Sequence, residues 1–438
     1  MKRVNSVAIS TLLLSTGYGL FAQTTGVGNC GGSKNVGCVL PNIYNGDDGI
    51  RLPRATPGEH EAHFLETSGY TQNFLPLNKA IATQLALLPI VSPASGFTYS
   101  FDKSTGAHTR TAQSFGPVYS ERGETIGRKK VFFGFNYQRF HFDKIDGQDL
   151  HNLPGLLTHV PTGRALQDLM LTKNDFDLKM NQFTIFGTVG ITDRLDISVA
   201  VPIVDVRFNA TATARIFRVP SGAVVCPGGS GTPCHFFDIN DRVNSTSKTF
   251  SNSASATGIG DVTIRVKHNV VRTDNVALSI LADIRTPSGN EKNFLGSGAA
   301  GFKPFAALTL KKGFLTPHFN LGYQWNGKSL LAGSLVTGQK ASLPSQFFYT
   351  VGTDIGMGKR ITLVTDLLGQ RLFDTSQVAP GTVTNGGNTL GILKFQNTSL
   401  GLNNFAGGVK VNIAGELLIT ANVLVRLDKG ACARTSLR

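Results

Sequence analysis

Eight residues of this sequence have the spacing of a phosphate-binding loop. Residues 322–329 read GYQWNGKS, which is a glycine, four residues, and then Gly-Lys-Ser. In nucleotide-binding proteins a strand precedes such a loop and a helix follows it, so that backbone N–H groups surround the phosphates. Here the loop positions continue a strand alternation, and the following LLAGSLVTG is a poor helix. We therefore interpret Tyr323 and Trp325 as part of an aromatic girdle at a strand end.

Three other short catalytic or nucleotide-binding motifs are absent, lack the required spacing, or lack the structure that their chemistry needs. Residues 296–301, GSGAAG, have the spacing of a dinucleotide-binding loop, but Pro304 follows inside a predicted strand rather than a helix. Residues 60–63, HEAH, lack the histidine separation of a metalloprotease helix. The nucleophile motif Gly-x-Ser-x-Gly does not occur in the sequence. We therefore predict no catalytic residue, no metal and no cofactor, and we expect that the protein is not an enzyme.

Charged residues on one face of predicted strands are the remaining candidates for function. Our candidate lumen-lining residues are Arg265, Lys267, Asp283, Arg285, His318 and Asp354, and the same pattern includes Asp196, Arg360, Asp366 and Lys410. One hypothesis is that these charges pair with one another across a wet or plugged interior. The other is that Arg265, Lys267 and Arg285 form a basic face that selects anionic solutes.

Four of the five cysteines form two pairs with the same spacing. Cys30 and Cys38 are separated by seven residues in a glycine-rich segment, and so are Cys226 and Cys234. In an oxidising compartment this pattern predicts two local disulfides. Zinc sites usually have closer spacings and four ligands, and only His235 lies near either pair.

The strands that must position the charges are clearest between residues 257 and 301. Val262, Ile264 and Val266 alternate there with Thr263, Arg265 and Lys267. Since side chains alternate between the two faces of a strand, one face is apolar and the other carries full charges. A soluble sandwich would bury the apolar face, whereas an outer-membrane barrel turns it towards lipid and keeps the charges in the lumen.

The connections between strands favour the barrel. We predict strands at 129–142, 178–190, 194–209, 260–272, 275–287, 302–312, 314–326, 346–357, 360–373, 403–413 and 416–427. Short turns alternate with long loops, which we predict at 143–177, 210–259, 288–301, 327–345 and 374–402. Short periplasmic turns and long extracellular loops are typical of outer-membrane proteins. The predicted fold is therefore all-β, an antiparallel up-and-down transmembrane β-barrel of about 12 strands.

The first part of the chain is predicted to be exported and then irregular. Residues 1–22 have the pattern of a secretory signal peptide, with two basic residues ahead of an apolar run. Residues 23–95 are rich in Gly, Pro and Asn and contain one helix-like patch at 77–90. We expect this irregular segment to be either a plug of the lumen, which we favour, or a periplasmic arm. Residues 96–438 then form the barrel with its long extracellular loops.

The number of strands leaves two alternatives for closing the barrel. Eleven strands that start from the periplasm would leave the C-terminus outside, and bacterial barrels usually have an even number of strands. The sequence after residue 427 is polar and does not end in an aromatic amphipathic strand. We expect either that a strand at 115–120 completes the barrel or that the last strand is missing.

The net charge of +14 indicates anionic surroundings. In an exported protein, lipopolysaccharide or an anionic solute is the expected partner of that charge. Nucleic acid is excluded, because no basic cluster is interleaved with aromatic residues. We expect the bacterial outer membrane as the location, with its lipid and lipopolysaccharide as partners, and the sequence does not indicate an oligomeric state.

Three segments of the chain resemble a known family of outer-membrane proteins. They are TIFGTVGITDRLDISVAVPIV (184–204), TGIGDVTIRVKHNVV (257–271) and LADIRTPSGNEKNFLGSG (281–298). They resemble the family called "putative MetA-pathway of phenol degradation" and, more distantly, the long-chain fatty-acid transporter barrels. The similarity covers roughly residues 115–427, and no binding residue can be carried over from it.

The resemblance implies a channel or transporter for small hydrophobic or aromatic compounds, without covalent chemistry. We expect passive uptake of such solutes, with the width of the lumen, the position of the plug and the basic interior face deciding which solute enters. The alternative is a structural or adhesive surface barrel that binds a partner through its long extracellular loops. In that case the Ser/Thr/Asn-rich loop 210–259 would be the active surface.

Overall fold

The structure is a computed structural model of the chain. It describes residues 30–44, 50–52, 62–64, 70–86, 88, 92, 99–102, 107–110, 114–158, 168–218, 235–241, 243–385, 387–414, 417–428 and 433–434. The predicted signal peptide and the cysteines Cys226 and Cys234 lie outside the described residues.

The N-terminal part contains one α-helix and short strands. The elements before the main sheet are a 3₁₀-helix at Val36–Cys38, β1 at Ile50–Leu52, β2 at Ala62–Phe64, helix α1 at Tyr70–Ala86, β3 at Tyr99–Asp102 and β4 at Ala107–Arg110. Helix α1 confirms the predicted helical patch and begins earlier than predicted, with Pro76 inside it. No helix in the described parts of the chain is long and apolar enough to span a membrane.

The rest of the chain is dominated by strands. Their bounds are β5 Val131–Phe142, β6 Lys144–Ile145, β7 Gln148–Asp149, β8 Leu153–Thr158, β9 Asp168–Thr192, β10 Leu195–Arg218, β11 Ser247–Ile259, β12 Thr263–Arg272, β13 Val276–Arg285, β14 Gly301–Leu310, β15 Leu315–Asn326, β16 Lys328–Ser334, β17 Gln339–Ser342, β18 Gln346–Met357, β19 Ile361–Asn385, β20 Asn388–Ala414, β21 Leu417–Arg426 and β22 Ala433–Arg434. A second 3₁₀-helix lies at Glu291–Asn293.

One large antiparallel sheet contains most of these strands, and neighbours in the chain are mostly neighbours in the sheet. Its order is β21-β20-β19-β18-β15-β14-β13-β12-β10-β9-β5-β22. β12 pairs with the first part of β10 and β11 with the rest, so that together they occupy one strand position beside β10. This is the up-and-down order of the predicted barrel, with twelve positions around the sheet.

The two-residue strand β22 occupies the twelfth position. It follows β21 in the chain and pairs with the end of β5, through Ala433 opposite Phe142 and Arg434 opposite His141. The alternative of a closing strand at 115–120 is wrong, because these residues are not part of the sheet. They lie against the inward-facing side chains of the strands instead.

The two faces of the sheet have the inside-out polarity that the alternation predicts. In β13, Ile280 is 58% exposed, whereas the neighbouring Ser279 is 0% exposed. On the inner face polar side chains pair with one another, and the hydroxyl oxygens of Thr188 and Ser198 lie 2.8 Å apart. An apolar outer band around a polar interior is the arrangement of outer-membrane barrels.

Four strands are much longer than predicted, and one of the predicted long loops is almost entirely strand. β9, β10, β19 and β20 have between 24 and 27 residues. The loop predicted at 374–402 is wrong, because β19 and β20 continue through it to a tight turn. In these extensions small apolar residues such as Ala210 and Ala212 face inwards and polar residues such as Thr211 and Thr213 face outwards. The alternation is therefore present, but it lacks the bulky apolar residues that mark a lipid-facing strand.

On the side of the sheet opposite the long strand extensions, neighbouring strands are joined by tight turns. Gly313 joins β14 to β15 with a φ of 62°, and Gly358 joins β18 to β19 with a φ of 68°. Only glycine adopts this left-handed conformation without strain. These turns confirm the short connections that the sequence predicts on one side of the sheet.

Candidate functional site

The end of the barrel with the long extensions is filled by residues 30–44 and helix α1. Cys30 and Cys38 form the predicted disulfide, with a Cα–Cα distance of 5.3 Å. Asn252 on β11 donates to the carbonyl oxygen of Val39 over 3.0 Å, and Asn293 accepts from the backbone N–H of Val36. Apolar residues of both segments belong to one buried cluster with the inner faces of the extended strands. The N-terminal part is therefore packed within the barrel mouth.

Asp146 attaches helix α1 to the extended wall. Its carboxylate accepts from the side chain of Gln84 over 3.2 Å and from the backbone N–H of Val378 over 2.9 Å. Burial raises the pKa of the Asp146 carboxyl, against the hydrogen bonds to Val378 and Gln84 that favour its charged form. The carboxyl therefore retains its proton to a higher pH than an exposed aspartate.

The opposite half of the lumen is crossed by residues 114–128. Asp366 on β19 accepts from the backbone N–H of Tyr119 over 2.9 Å and from the hydroxyl of Ser120 over 2.5 Å. Lys410 on β20 donates to the carbonyl oxygen of Pro117 over 2.6 Å. Further along, the backbone N–H of Ile126 donates to Asp196. Inward-facing charges of the wall thus satisfy the backbone of a segment that has no secondary structure of its own.

Glu121 is the central anchor of this segment. Its carboxylate pairs with Arg265 and accepts from Lys267 over 3.0 Å and from Ser92 over 2.6 Å. Its backbone exchanges two hydrogen bonds with the Asn320 side chain, at 2.6 Å and 2.7 Å. The Glu121 side chain is 3% exposed. A buried carboxylate with two cationic partners holds the crossing segment at mid-depth in the lumen.

A cavity of about 150 Å³ lies above this anchor, between the wall and the N-terminal segments. Leu85 of helix α1, Leu295 and Leu331 supply apolar lining. Arg285 and Lys303 supply positive charge to the same cavity. An engineered cavity of about 150 Å³ with apolar walls binds benzene, so this volume suits a single ring.

A second cavity of about 60 Å³ shares part of its lining with the first. Arg265, Lys303 and Gln370 line both cavities, which places them at the junction. Tyr119 and Glu121 of the crossing segment line the second cavity alone. The two cavities therefore lie in sequence from the mouth to the crossing segment, with two cations between them.

Lys303 is the cation of this junction that forms no salt bridge, although Asp283 lies opposite it in the sheet and interacts with it electrostatically at longer range. Arg265 makes a bidentate pair with Asp283, at 2.6 Å and 2.8 Å. Within the described parts of the chain, Lys303 has no hydrogen bond and no ion pair. Its Nζ lies 4.1 Å from the ring centroid of Phe348 and 5.5 Å from that of Phe305. A cation held by aromatic rings remains available to an anion, because the rings do not neutralise its charge.

The structure brings four of the predicted lumen residues to the region around Glu121 and the first cavity, and it places the other two elsewhere in the lumen. Arg265, Lys267 and Asp283 meet around Glu121 or one another. Arg285 pairs more loosely with Asp261, at 3.7 Å. His318 and Asp354 face inwards as a buried pair elsewhere in the lumen, with His318 also bonded to Thr309 over 2.8 Å.

Arg360 is the exception among the wider set of predicted inward charges. It is exposed in the tight turn between β18 and β19, so its placement in the lumen is wrong. The predicted strand began at this residue, whereas β19 begins one residue later.

The two residues that matter most at the junction were not predicted from the sequence. Glu121 lies outside the strands, so no alternation pattern applies to it. Lys303 lies on the same face of β14 as Phe305 and Ala307. Because these two neighbours are apolar, the alternation of the sequence does not mark Lys303 as a lumen charge. Its position opposite Asp283 in the register of β13 and β14 is the feature that could have identified it.

A family model matches more than half of the chain. The family is described as "Putative MetA-pathway of phenol degradation", and the match covers residues 172–405. This range contains the strands from β9 to most of β20 and all of the cationic residues of the junction. No curated protein matches the chain at a significant level.

Several solved structures are similar to the chain at low sequence identity. The COG4313 outer membrane channel from Pseudomonas putida F1 is 12% identical, with 71% of this chain and 93% of that chain covered and a TM-score of 0.43. A Pseudomonas aeruginosa FadL homologue is 10% identical, with 70% and 85% covered and a TM-score of 0.29. A mutant of TodX, a monoaromatic hydrocarbon channel, is 10% identical, with 81% and 83% covered and a TM-score of 0.23.

Proposed function

Since the chain belongs to the family described as "Putative MetA-pathway of phenol degradation", we propose that it is an outer-membrane channel for the passive uptake of small hydrophobic or aromatic compounds. The observation that carries this proposal is the cavity of about 150 Å³, which has apolar lining from leucines and charged lining from Arg265, Arg285, Lys303, Asp261 and Asp283. Ligand sites combine apolar walls with placed polar groups that fix the orientation of the ligand. No group at the junction is arranged for covalent chemistry, so the proposed role is binding and passage.

The apolar outer band supports location in the outer membrane. Phe135, Ile280 and Leu321 are 69%, 58% and 55% exposed on strands of the large sheet. Exposed residues of this size are costly in water and favourable against lipid. In this proposal the signal peptide at 1–22 directs export, and lipid and lipopolysaccharide surround the barrel.

Substitution of Leu321 by Arg tests the lipid-facing assignment. We expect a loss of folding free energy of about 2–4 kcal/mol in lipid vesicles, because a charge would face the middle of the bilayer. The measurement is a denaturant titration of the reconstituted protein. Ser253→Arg is the matched control, since Ser253 faces outwards on the polar extension β11 and should tolerate the charge. Equal losses for both variants would contradict an apolar bilayer around β15.

The proposed path runs from the barrel mouth through both cavities to the crossing segment. In this proposal residues 23–95 act as a plug of the mouth and residues 96–438 form the barrel. Residues 114–128 form a second barrier, because Glu121 and Asp366 hold them across the lumen. Passage of a solute therefore requires a movement of this segment rather than an open pore.

The preferred solute combines one ring or a short apolar body with one anionic group. The apolar part suits Leu85, Leu295 and Leu331, and the anionic group suits Lys303 at the junction. A carboxylate or phenolate on Lys303 would form a charge-assisted hydrogen bond that a neutral analogue lacks. This corrects the basic face expected from the sequence, because Arg265 and Lys267 already have carboxylate partners.

The test is an entry assay with outer-membrane vesicles from a Gram-negative host that lacks general porins. We expect radiolabelled benzoate and benzyl alcohol to enter faster when the vesicles contain this protein, and we expect no increase for a small sugar. Unchanged entry of both aromatic solutes would contradict the channel and favour the surface barrel that binds a partner through its loops. Entry of the sugar would indicate a general pore.

A further inference from the structure

A cluster of two histidines and one aspartate lies outside the lumen, at the end of the wall with the long extensions. His141 is the last residue but one of β5, Asp143 follows the strand, and His151 lies between β7 and β8. One ligand atom from each residue lies within 4.8 Å of the others. All three side chains are partly exposed, so that an ion could reach them from outside. We propose that His141, Asp143 and His151 bind a divalent transition-metal ion, with Zn²⁺ as the best match.

The donor set supports a transition metal rather than Ca²⁺ or Mg²⁺. Two imidazoles and one carboxylate are typical ligands of zinc, whereas the hard cations take oxygen ligands alone. Zinc ligands at about 2.0–2.2 Å in tetrahedral geometry lie about 3.4 Å from one another. Nδ1 of His141 and a carboxylate oxygen of Asp143 lie 3.7 Å apart, close to this value. Three protein ligands would leave the fourth position to water or to an external group.

Each histidine also has a carboxylate on its other ring nitrogen. Nε2 of His141 lies 3.1 Å from Asp177, which leaves Nδ1 on the side of Asp143. Nδ1 of His151 lies 2.7 Å from Asp175, and coordination through Nε2 would keep this contact. Metal-ligating histidines almost always donate their second N–H in this way, and the partner fixes the tautomer and the ring orientation. This pairing is the feature that distinguishes the cluster from a chance group of surface charges.

The supporting carboxylates are themselves held in place. Asp177 accepts from Lys179 over 2.7 Å and lies on β9, two strand positions from Asp175. Asp149 accepts from the backbone N–H of His151 over 2.9 Å. A bound ion would therefore connect the end of β5 to the segment 143–158, next to β9. The expected effect is stabilisation of this segment on the outer surface.

The sequence has no conventional metal motif at these positions, which explains why a metal site was not predicted. His141 and His151 are ten residues apart, with β6 and β7 between them. Only the β6–β7 hairpin, which returns the chain towards β9, brings the two rings together.

The test is calorimetric titration of Zn²⁺ into the chelator-treated full-length protein in detergent, with Ca²⁺ as the comparison. We expect one equivalent of Zn²⁺ to bind, and we expect it to slow hydrogen exchange in residues 143–158 until chelator is added. His141→Ala and His151→Ala should each weaken binding by at least about tenfold. Asp177→Asn should also weaken it, by about tenfold or more, because Asp177 acts through His141 and loss of such a supporting carboxylate typically costs about 10–100-fold.

His268→Ala is the matched control, since His268 is an exposed histidine of β12 outside the cluster. The heat-modified mobility of each variant shows that its barrel is folded. No stoichiometric Zn²⁺ binding by the wild type would overturn the proposal. Binding that both histidine variants retain would overturn it as well, and so would equal binding of Ca²⁺. None of these three outcomes bears on uptake through the lumen.

Discussion

Replacement of Lys303 by Gln should raise the half-saturating concentration for benzoate by at least about tenfold and leave that for benzyl alcohol within about twofold. Lys303 lines both cavities and forms no salt bridge among the described residues, with Asp283 opposite it in the sheet. A hydrogen bond to a charged group contributes about 1.5–3 kcal/mol, and about 1.4 kcal/mol corresponds to a factor of ten. The two solutes share one ring and differ mainly in charge, so their comparison isolates the contribution of Lys303. The measurement is concentration-dependent entry into outer-membrane vesicles.

Two further variants make this result specific. Lys303→Arg retains the charge and should retain most of the preference for benzoate. Lys292→Gln removes one positive charge from an exposed position of the 3₁₀-helix Glu291–Asn293 and should change neither solute. If Lys303→Gln lowers the entry of both solutes equally, the residue shapes the cavity but does not recognise an anion.

Replacement of Glu121 by Ala should destabilise the crossing segment and raise ion conductance severalfold. The change removes the salt-bridge partner of Lys267, which is 1% exposed, and leaves Asp196 opposite it in the sheet; it also removes one partner of Arg265. Removal of one member of a buried ion pair typically costs about 3–5 kcal/mol, because the remaining charge is uncompensated. Detachment of residues 114–128 relieves this cost by admitting water to Lys267. Planar-bilayer recording measures the conductance.

The double variant Glu121→Met with Lys267→Met distinguishes the effect of an unpaired buried charge from the effect of losing the contact between these two residues. Since both buried charges are then replaced by apolar side chains, the segment should stay in place and the conductance should return towards the wild-type value. A conductance that stays at the wild-type level in Glu121→Ala, with an intact barrel by heat-modified mobility, would contradict the role of Glu121 as the anchor.

The part of the sheet below the extensions was predictable because its outer surface is consistently apolar. Residues such as Ile264, Val266 and Ile280 alternate with polar neighbours, and this period of two determines which face is apolar. The extensions of β10 and β19 were not predicted, because both of their faces differ from those of a lipid-facing strand. Their outer face meets water, and their inner face is packed with alanine and the N-terminal segments.

The candidate site was only partly predictable, because its decisive contacts join residues far apart in the chain. Glu121 and Lys267 are 146 residues apart, and nothing local to either residue indicates the other. Arg265 was predicted as a lumen charge from its strand alone, but the strand pattern does not reveal that it already has two carboxylate partners. Lys303 was not predicted as a lumen charge. Only the register of β14 and the packing against Phe348 identify it as a lumen cation without a salt bridge.

The most direct test of the channel is to fill its first cavity. Ala200 is buried on the inner face of β10 and lines this cavity, whereas the neighbouring Val199 is 40% exposed on the outer face. Ala200→Trp places an indole ring in the cavity, and Val199→Trp places the same ring against lipid. We predict that Ala200→Trp abolishes the protein-dependent entry of benzoate and benzyl alcohol into outer-membrane vesicles, while Val199→Trp retains it. Undiminished entry through a folded Ala200→Trp variant would show that solutes do not pass through this cavity.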